Sequence, residues 1–317
     1  MTLSFYPAYW TSLMFWGEVS LGCLIVALLQ YLTGGRWGAA ALPFLRAGIA
    51  AGAWLLPGFL ILPFALGKIF PWTAGLPPEI AARGHWLQPG FFLARTLLYL
   101  IAFSLAGMAV LRRRRPEAPA WAGPLLIGVI LILSLASTDW MMSVDPGFAS
   151  SLYPFLVAAG AFVAVFSGLA WIAARDSGME ARLRADFGKL LFAAICFWGY
   201  INLSQLLIIW TGNLPHEASW YVDRTSHGWR PFTVVLFLLH FAVPFALLLS
   251  RPLKEDPRRL GRVAAGLFLV HYLEVFWMTG PRTGEPLRFD PFAVLLPLAM
   301  GWLWLHAFRR RLAKEKA

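Results

Sequence analysis

The stretch WTSLMFWGEVSLGCLIVALLQYL (residues 10–32) carries a single charge, Glu18, in 23 residues. As a helix rising 1.5 Å per residue it can cross the ~30 Å hydrocarbon core of a bilayer. A carboxylate in such a setting is costly. It is therefore kept for function or for a tight internal contact.

Eight further apolar stretches follow, near 43–67, 89–111, 120–142, 148–174, 187–211, 230–250, 260–280 and 291–308. The predicted fold class is all-α, a polytopic transmembrane helix bundle of about nine spans forming one integral membrane domain over 1–317. Pro57 and Pro63 interrupt the second stretch, which membrane helices tolerate when neighbours satisfy the freed carbonyls. Composition agrees: the 317 residues are 59% hydrophobic and 14% charged, with a mean hydropathy of +0.65. Soluble domains are nearer half apolar and a quarter charged. An ordinary soluble enzyme, a disordered chain and a disulfide scaffold are excluded. Cys23 and Cys196 lie in apolar runs without a CxxC pair, so no disulfide framework, metal site or c-type haem is expected. Met1–Trp10 lacks a basic n-region, so the first span reads as retained and not as a signal peptide.

The net charge of +11 is distributed unevenly. With the N-terminus outside, Arg36, Arg46, Arg112–Arg115, the Arg175–Lys189 group, the Arg251–Arg262 group and the Arg309–Lys316 tail fall inside. That is 20 of the 27 basic residues. Lys68, Arg83, Arg95, Arg224, Arg230, Arg282 and Arg288 remain outside. Such a bias orients a membrane protein, here N-terminus out and C-terminus in, and no nucleic-acid partner is implied. The outer loops 68–88 and 212–230 mix Pro, Gly, His and Trp. Trp72, Trp86, Trp220 and Trp229 read first as interfacial anchors, with capping of a site or docking of a subunit as the other use of these loops.

Polar residues within the spans are Glu18, Arg95, Asp139, Asn202, Gln205, His240, His271 and Glu274. Counted from the span ends, Arg95 and Asp139 lie close to the outer edge. Glu18, Asn202, Gln205 and Glu274 lie about six to nine residues below it and His240 and His271 about ten, at 1.5 Å per residue. The set crowds the outer half of the bilayer. His271 and Glu274 are i,i+3 and share a helix face, as do Asn202 and Gln205. A buried carboxyl beside an imidazole can exchange a proton. Glu274, His271, Asp139, Glu18 and His240 are thus candidate proton-relay residues. Asn202, Gln205 and Arg95 are candidate contacts for a quinone headgroup. The same groups would also serve as interhelical hydrogen bonds, and Arg95 with Asp139 as a plain ion pair. His240 and His271 could in principle ligate a b-type haem, but bulky neighbours such as Leu239, Phe241 and Tyr272 leave little room for a porphyrin.

Five strings occur in order: LLQYLTGGRWG (28–38), STDWMMSVDP (137–146), WGYINLSQLLIIWTGNLPHEASWY (198–221), HFAVPFALLLSR (240–251) and HYLEVFWM (271–278). Together they resemble the ActF-type membrane subunit of bacterial alternative complex III, a quinol:cytochrome c (or oxidase) oxidoreductase, within the NrfD and polysulfide-reductase-like membrane proteins. The resemblance implies two four-helix bundles plus a peripheral helix, in a multi-pass protein of the bacterial inner membrane. It implies a paralogous NrfD-like membrane subunit, periplasmic iron–sulfur and multihaem cytochrome c subunits, and a terminal oxidase as partners. Electron carriers would then lie in those partners, with no haem or iron–sulfur cluster in this chain. Quinone or quinol would be the cofactor of the complex, and a subunit of this type is linked to proton conduction more than to quinol oxidation. Asp139 falls on the family's DW motif, Gln205 on SQ, Asn213 on GN and His240 on HF. Glu274 stands where a carboxylate, usually Asp, is expected. The family usually has ten spans, one more than is counted here. A structural or assembly subunit and a secondary transporter are the alternative readings.

Overall fold

The computed structural model describes residues 5–113, 119–280, 286–287 and 290–316. Among these residues the fold is all-helical, with no strand and nine helices long and apolar enough to span a membrane. They are α1 (Phe5–Thr33), α2 (Arg36–Ile69), α3 (Pro89–Arg112), α4 (Ala122–Val144), α5 (Tyr153–Arg175), α6 (Ala181–Gly212), α7 (Trp229–Leu249), α8 (Pro257–Thr279) and α9 (Phe292–Glu315). The predicted stretches fall on these helices one for one. Of the basic residues that set the orientation, Arg114, Arg115, Arg282 and Arg288 lie outside the described residues.

Contacts sort the helices into two groups of four. α1 to α4 pack on one another, α5 to α8 do likewise, and α9 lies against α1 and α2. The groups meet where α1 and α4 touch α5, α1 touches α8, and α2 touches α6. α1 is the hub, buried on nearly every side. That suits a helix whose apolar residues run all round it. Gly22 is what lets α5 come so close: a Cβ there would lie 2.8 Å from Val165 Cγ2 and 3.0 Å from the Ala161 carbonyl oxygen. Small residues at such crossings let membrane helices pack backbone to backbone.

Two spans are irregular, each at a proline. In α2 the segment Ala53–Ile61, which contains Pro57, is a 3₁₀ helix, and α-helical turns resume at Leu62. In α7 the residues Leu238–Ala242 form a π turn just before Pro244. Proline has no N–H to offer the carbonyl four residues back, and a local change of helix type accommodates the gap. α6 ends where Asn213 takes a left-handed conformation (φ 48°) and its N–H closes on the Ile209 carbonyl at 3.1 Å. Asn is one of the few residues that tolerate this cap.

Arginines tie the inner ends together. Arg46 donates from Nη1 to the Val110 carbonyl (3.0 Å) and the Arg113 carbonyl, from Nη2 to the Leu111 carbonyl (2.6 Å), and from Nε to Glu315 (2.7 Å). A cation at a helix C-terminus satisfies its last carbonyls and complements its dipole. At the outer end the loops interlock: Arg83 Nη1 donates to the carbonyls of Pro146 (2.5 Å) and Phe148 (3.1 Å). The loop tryptophans differ from their predicted anchoring role. Trp72, Trp220 and Trp229 are buried within this cap, and only Trp86 is exposed. Their rings pack on Phe70 and Phe92, on Phe148, and on Phe232 and Phe276 respectively.

Two measurements probe this layout. Cys23 is buried and Cys196 lies within α6, so the background for thiol labelling is low. With the orientation read from the charges, Thr225→Cys is expected to react with a membrane-impermeant thiol reagent from outside only, and Arg258→Cys from inside only. At the start of α8, Asp256 accepts the backbone N–H groups of Arg258 (2.8 Å) and Arg259 (3.0 Å). The Arg259 N–H, with that of Arg258, holds its carboxyl below the ordinary range. The cap therefore stabilises above the unfolded carboxyl value, about 4, and is lost as pH falls through the depressed folded value. Thermal unfolding of Asp256→Ala should lie below wild type at pH 7, and the two should converge in acid.

Candidate functional site

Four of the predicted relay residues meet where the two bundles join. Glu18 comes from α1, His240 from the π turn of α7, and His271 and Glu274 from successive turns of α8. The i,i+3 spacing points both α8 side chains one way. His271 stands between the carboxylates, with Nδ1 2.9 Å from Glu274 Oε2 and Nε2 3.1 Å from Glu18 Oε2. His240 Nε2 is 3.3 Å from the same Glu274 oxygen. Trp198 of α6 donates its indole N–H to Glu274 Oε1, and its ring lies 4.5 Å from that of His240, centroid to centroid. All four ionisable residues are at most 5% exposed.

Close approach of α5 closes the site. A Cβ on Gly160 would sit 2.8 Å from His271 Cε1 and 3.2 Å from Glu274 Oε2. Only glycine leaves room for the imidazole and carboxylate to face α5. On the other side Glu18 Oε1 has no hydrogen-bond partner in the protein. Glu18 borders a cavity of about 30 Å³ lined also by Met14, Gly17, Phe59, Ser137, Trp140 and Val157. That is room for about one water and too little for an aromatic headgroup. Both nitrogens of His240 likewise lack a partner by hydrogen-bond geometry.

The chemistry follows from the donor set. Two carboxylates and two imidazoles share a setting of low dielectric, where unpaired charge is strongly penalised. Protons on the imidazoles reduce the negative charge, and each neighbouring acceptor lies within or just beyond hydrogen-bond range. A proton can move from Glu18 to His271, and from there to Glu274 and His240, without large motion of any side chain. No metal is predicted from the sequence, yet His240, His271 and Glu274 each bring a ligand atom within 4.8 Å of the others. Of the two ring nitrogens of His271, Nδ1 is hydrogen-bonded to Glu274, whereas Nε2 is near Glu18 but lacks hydrogen-bond geometry.

The remaining predicted residues lie elsewhere. Asp139 is fully buried and receives Arg95 Nε (2.7 Å) and Nη2 (3.0 Å), Tyr99 Oη (2.8 Å) and Trp86 Nε1 (2.7 Å). Arg95 also donates to the Trp86 carbonyl at 3.0 Å, with its guanidinium 3.9 Å from the Trp86 ring. This is a saturated ion pair joining α3 to α4. Asn202 Nδ2 donates to the Trp198 carbonyl of its own helix, 3.0 Å away. Gln205 accepts the Ser150 hydroxyl at 2.6 Å and so ties α6 to the turn before α5. The three headgroup candidates, Arg95, Asn202 and Gln205, do not converge on a common pocket. The larger cavity, about 140 Å³, lies at the outer rim beside Arg83, Trp86, Thr138 and Pro146.

Trp198 and Gly160 are site residues that escape the sequence reading. Trp198 is i−4 to Asn202, which placed it on a polar face. Gly160 sits in a run of small apolar residues and gives no local signal. Compared with models of known protein families and with curated proteins, the chain matches none.

Filling the gap at α5 should disturb the site. Gly160→Val is expected to lower stability by about 1–3 kcal/mol, the usual range for overpacking. Gly128→Ala, where an added Cβ meets nothing within 4 Å, should be close to neutral. Thermal unfolding in detergent compares the two.

Proposed function

We propose that this chain is a membrane subunit of a respiratory quinol-oxidising complex of the ActF kind, and that Glu18, His271, Glu274 and His240 move protons within it. The observation that carries the reading is His271 held between two buried carboxylates, 2.9 and 3.1 Å away, with a second imidazole beyond. The resemblance of the five sequence strings supports the choice of complex. The π turn at His240 adds support, because such turns gather at functional sites.

In this reading Glu274 Oε2 gives a proton to His271 Nδ1 while the Nε2 proton passes to Glu18 Oε2. His240 Nε2 then reprotonates Glu274 Oε2. Trp198 holds the second oxygen of Glu274 and fixes the carboxylate plane. Reversal, or a tautomer change at His271, resets the chain for the next proton. The cavity beside Glu18 suits water and not a quinone ring, which favours proton conduction over quinone binding here. Quinol oxidation then belongs to a partner subunit. Asp139, Arg95, Asn202 and Gln205 act as structural ties between helices.

The test is quinol oxidation and coupled proton release by the protein purified with its accompanying subunits. Glu18→Gln and Glu274→Gln are each expected to slow proton release at least tenfold, the low side of general acid–base contributions of about 10²–10⁴. Wild-type proton release in both variants would sink the relay and leave a scaffold of helices held by polar contacts. Co-purification with a multihaem cytochrome and a large iron–sulfur protein is the expected result for the complex. Isolation as a lone active protein would overturn that part.

A further inference from the structure

The relay cluster lies inside the bundle, and a proton leaving it must reach the outer surface. Tyr153 is the first residue of α5 and is fully buried, yet its hydroxyl has no hydrogen-bond partner in the protein. A buried polar group left unpartnered is destabilising, and each such group in a folded protein calls for a reason. Phenylalanine would fill the same space without that penalty. Tyr153 lies seven residues before Gly160, about 10 Å along the helix and on nearly the same face. Val157, one turn from Tyr153, lines the same cavity as Glu18.

Toward the surface a column of aromatic rings leads away from Tyr153. Its ring packs on Phe148 at 6.1 Å, and Phe148 stacks on Trp220 at 4.9 Å. The guanidinium of Arg224 lies 3.6 Å from the Trp220 ring centroid. Arg224 is 1% exposed and donates to the carbonyls of Trp220 (3.0 Å), Trp277 (3.0 Å) and Met278 (2.8 Å). It thereby caps the outer end of α8, the helix that carries His271 and Glu274. Burial lowers Arg224 to about 10, which leaves it cationic at neutral pH. Asp145, half-buried in the turn between α4 and α5, faces Arg224 electrostatically, and burial raises its carboxyl. Tyr153 lies within electrostatic reach of Glu18 and Glu274 as well as of Asp145 and Arg224.

We propose that Tyr153 passes protons between the Glu18–His271–Glu274 cluster and Asp145, which exchanges them with the outer solution. The proposal rests on the relay reading above. In each transfer the tyrosine oxygen accepts a proton from the cluster side, through water where the cavity at Glu18 has room for it. Its own hydroxyl proton leaves toward the Asp145 carboxylate. One O–H bond forms as another breaks, and Tyr153 ends neutral. Asp145 then loses its proton to solvent, with the Arg224 cation favouring its return to the ionised form.

The experiment uses vesicles holding the protein with its accompanying subunits and a pH indicator on the side of Asp145. Proton movement during quinol oxidation is compared for wild type, Tyr153→Phe, Asp145→Asn, the double variant and Glu274→Gln. Tyr153→Phe and Asp145→Asn are each expected to slow release about tenfold, with the double variant little slower than either, because the two stand in series. Tyr153→Phe should unfold at or above the wild-type temperature, which separates a lost relay from lost folding. Wild-type release by Tyr153→Phe beside a slow Glu274→Gln would overturn the exit route and leave the relay standing. Wild-type release by all of them would overturn both.

Discussion

One imidazole between two carboxylates joins the halves of this molecule. Glu18 belongs to the α1–α4 bundle and Glu274 to the α5–α8 bundle, and His271 touches both. Because the junction lies within a membrane, no water or hydrophobic force holds the bundles together there. Close packing and polar contacts do so. Every nearby feature serves that approach: the burial of α1 on all sides, Gly22 and Gly160 on the crossing faces, and the π turn that brings His240 beside Glu274. Removing one partner of a buried pair typically costs about 3–5 kcal/mol, so position and chemistry are bound together at this point.

The protein buries charge in two different ways. Around Asp139 each carboxylate oxygen has donors from two residues, and Arg95 supplies a full opposite charge. Such a pair is fully braced. Around Glu18 the arrangement differs: one carboxylate oxygen, both His240 nitrogens and Nε2 of His271 lack a hydrogen-bond partner. A set with fewer protons than positions for them can redistribute those it has. The contrast within one chain supports assigning the two clusters different roles.

Much of the fold is legible in the sequence because the bilayer imposes its own ruler. Nine apolar stretches map to nine helices, since each had to exceed the thickness of the hydrocarbon. The i,i+3 pair on α8 and the depths of Glu18, His240 and His271 were likewise set along single helices, and counting residues finds them. Relations across helices are less accessible. Asn202 and Gln205 share a face, yet one bonds its own backbone and the other holds a turn. Arg224 reads as a loop cation and is instead buried against α8. Trp220 and Trp229 read as interfacial and are instead interior, because the outer loops fold inward over the helix ends. No periodicity encodes which neighbour a side chain will meet.

The π turn of α7 carries a further consequence. Five residues there occupy a stretch that a regular α-helix would wind differently, so the helix on either side is out of register by about one residue, near 100° of rotation. The outer part of α7 and the part beyond Pro244 can therefore present faces that a continuous helix would not align. Straightening the turn at unchanged length would rotate one half of the span by about that angle, away from its neighbours, whereas removing one residue between Leu238 and Ala242 would restore a regular winding and keep both halves in place.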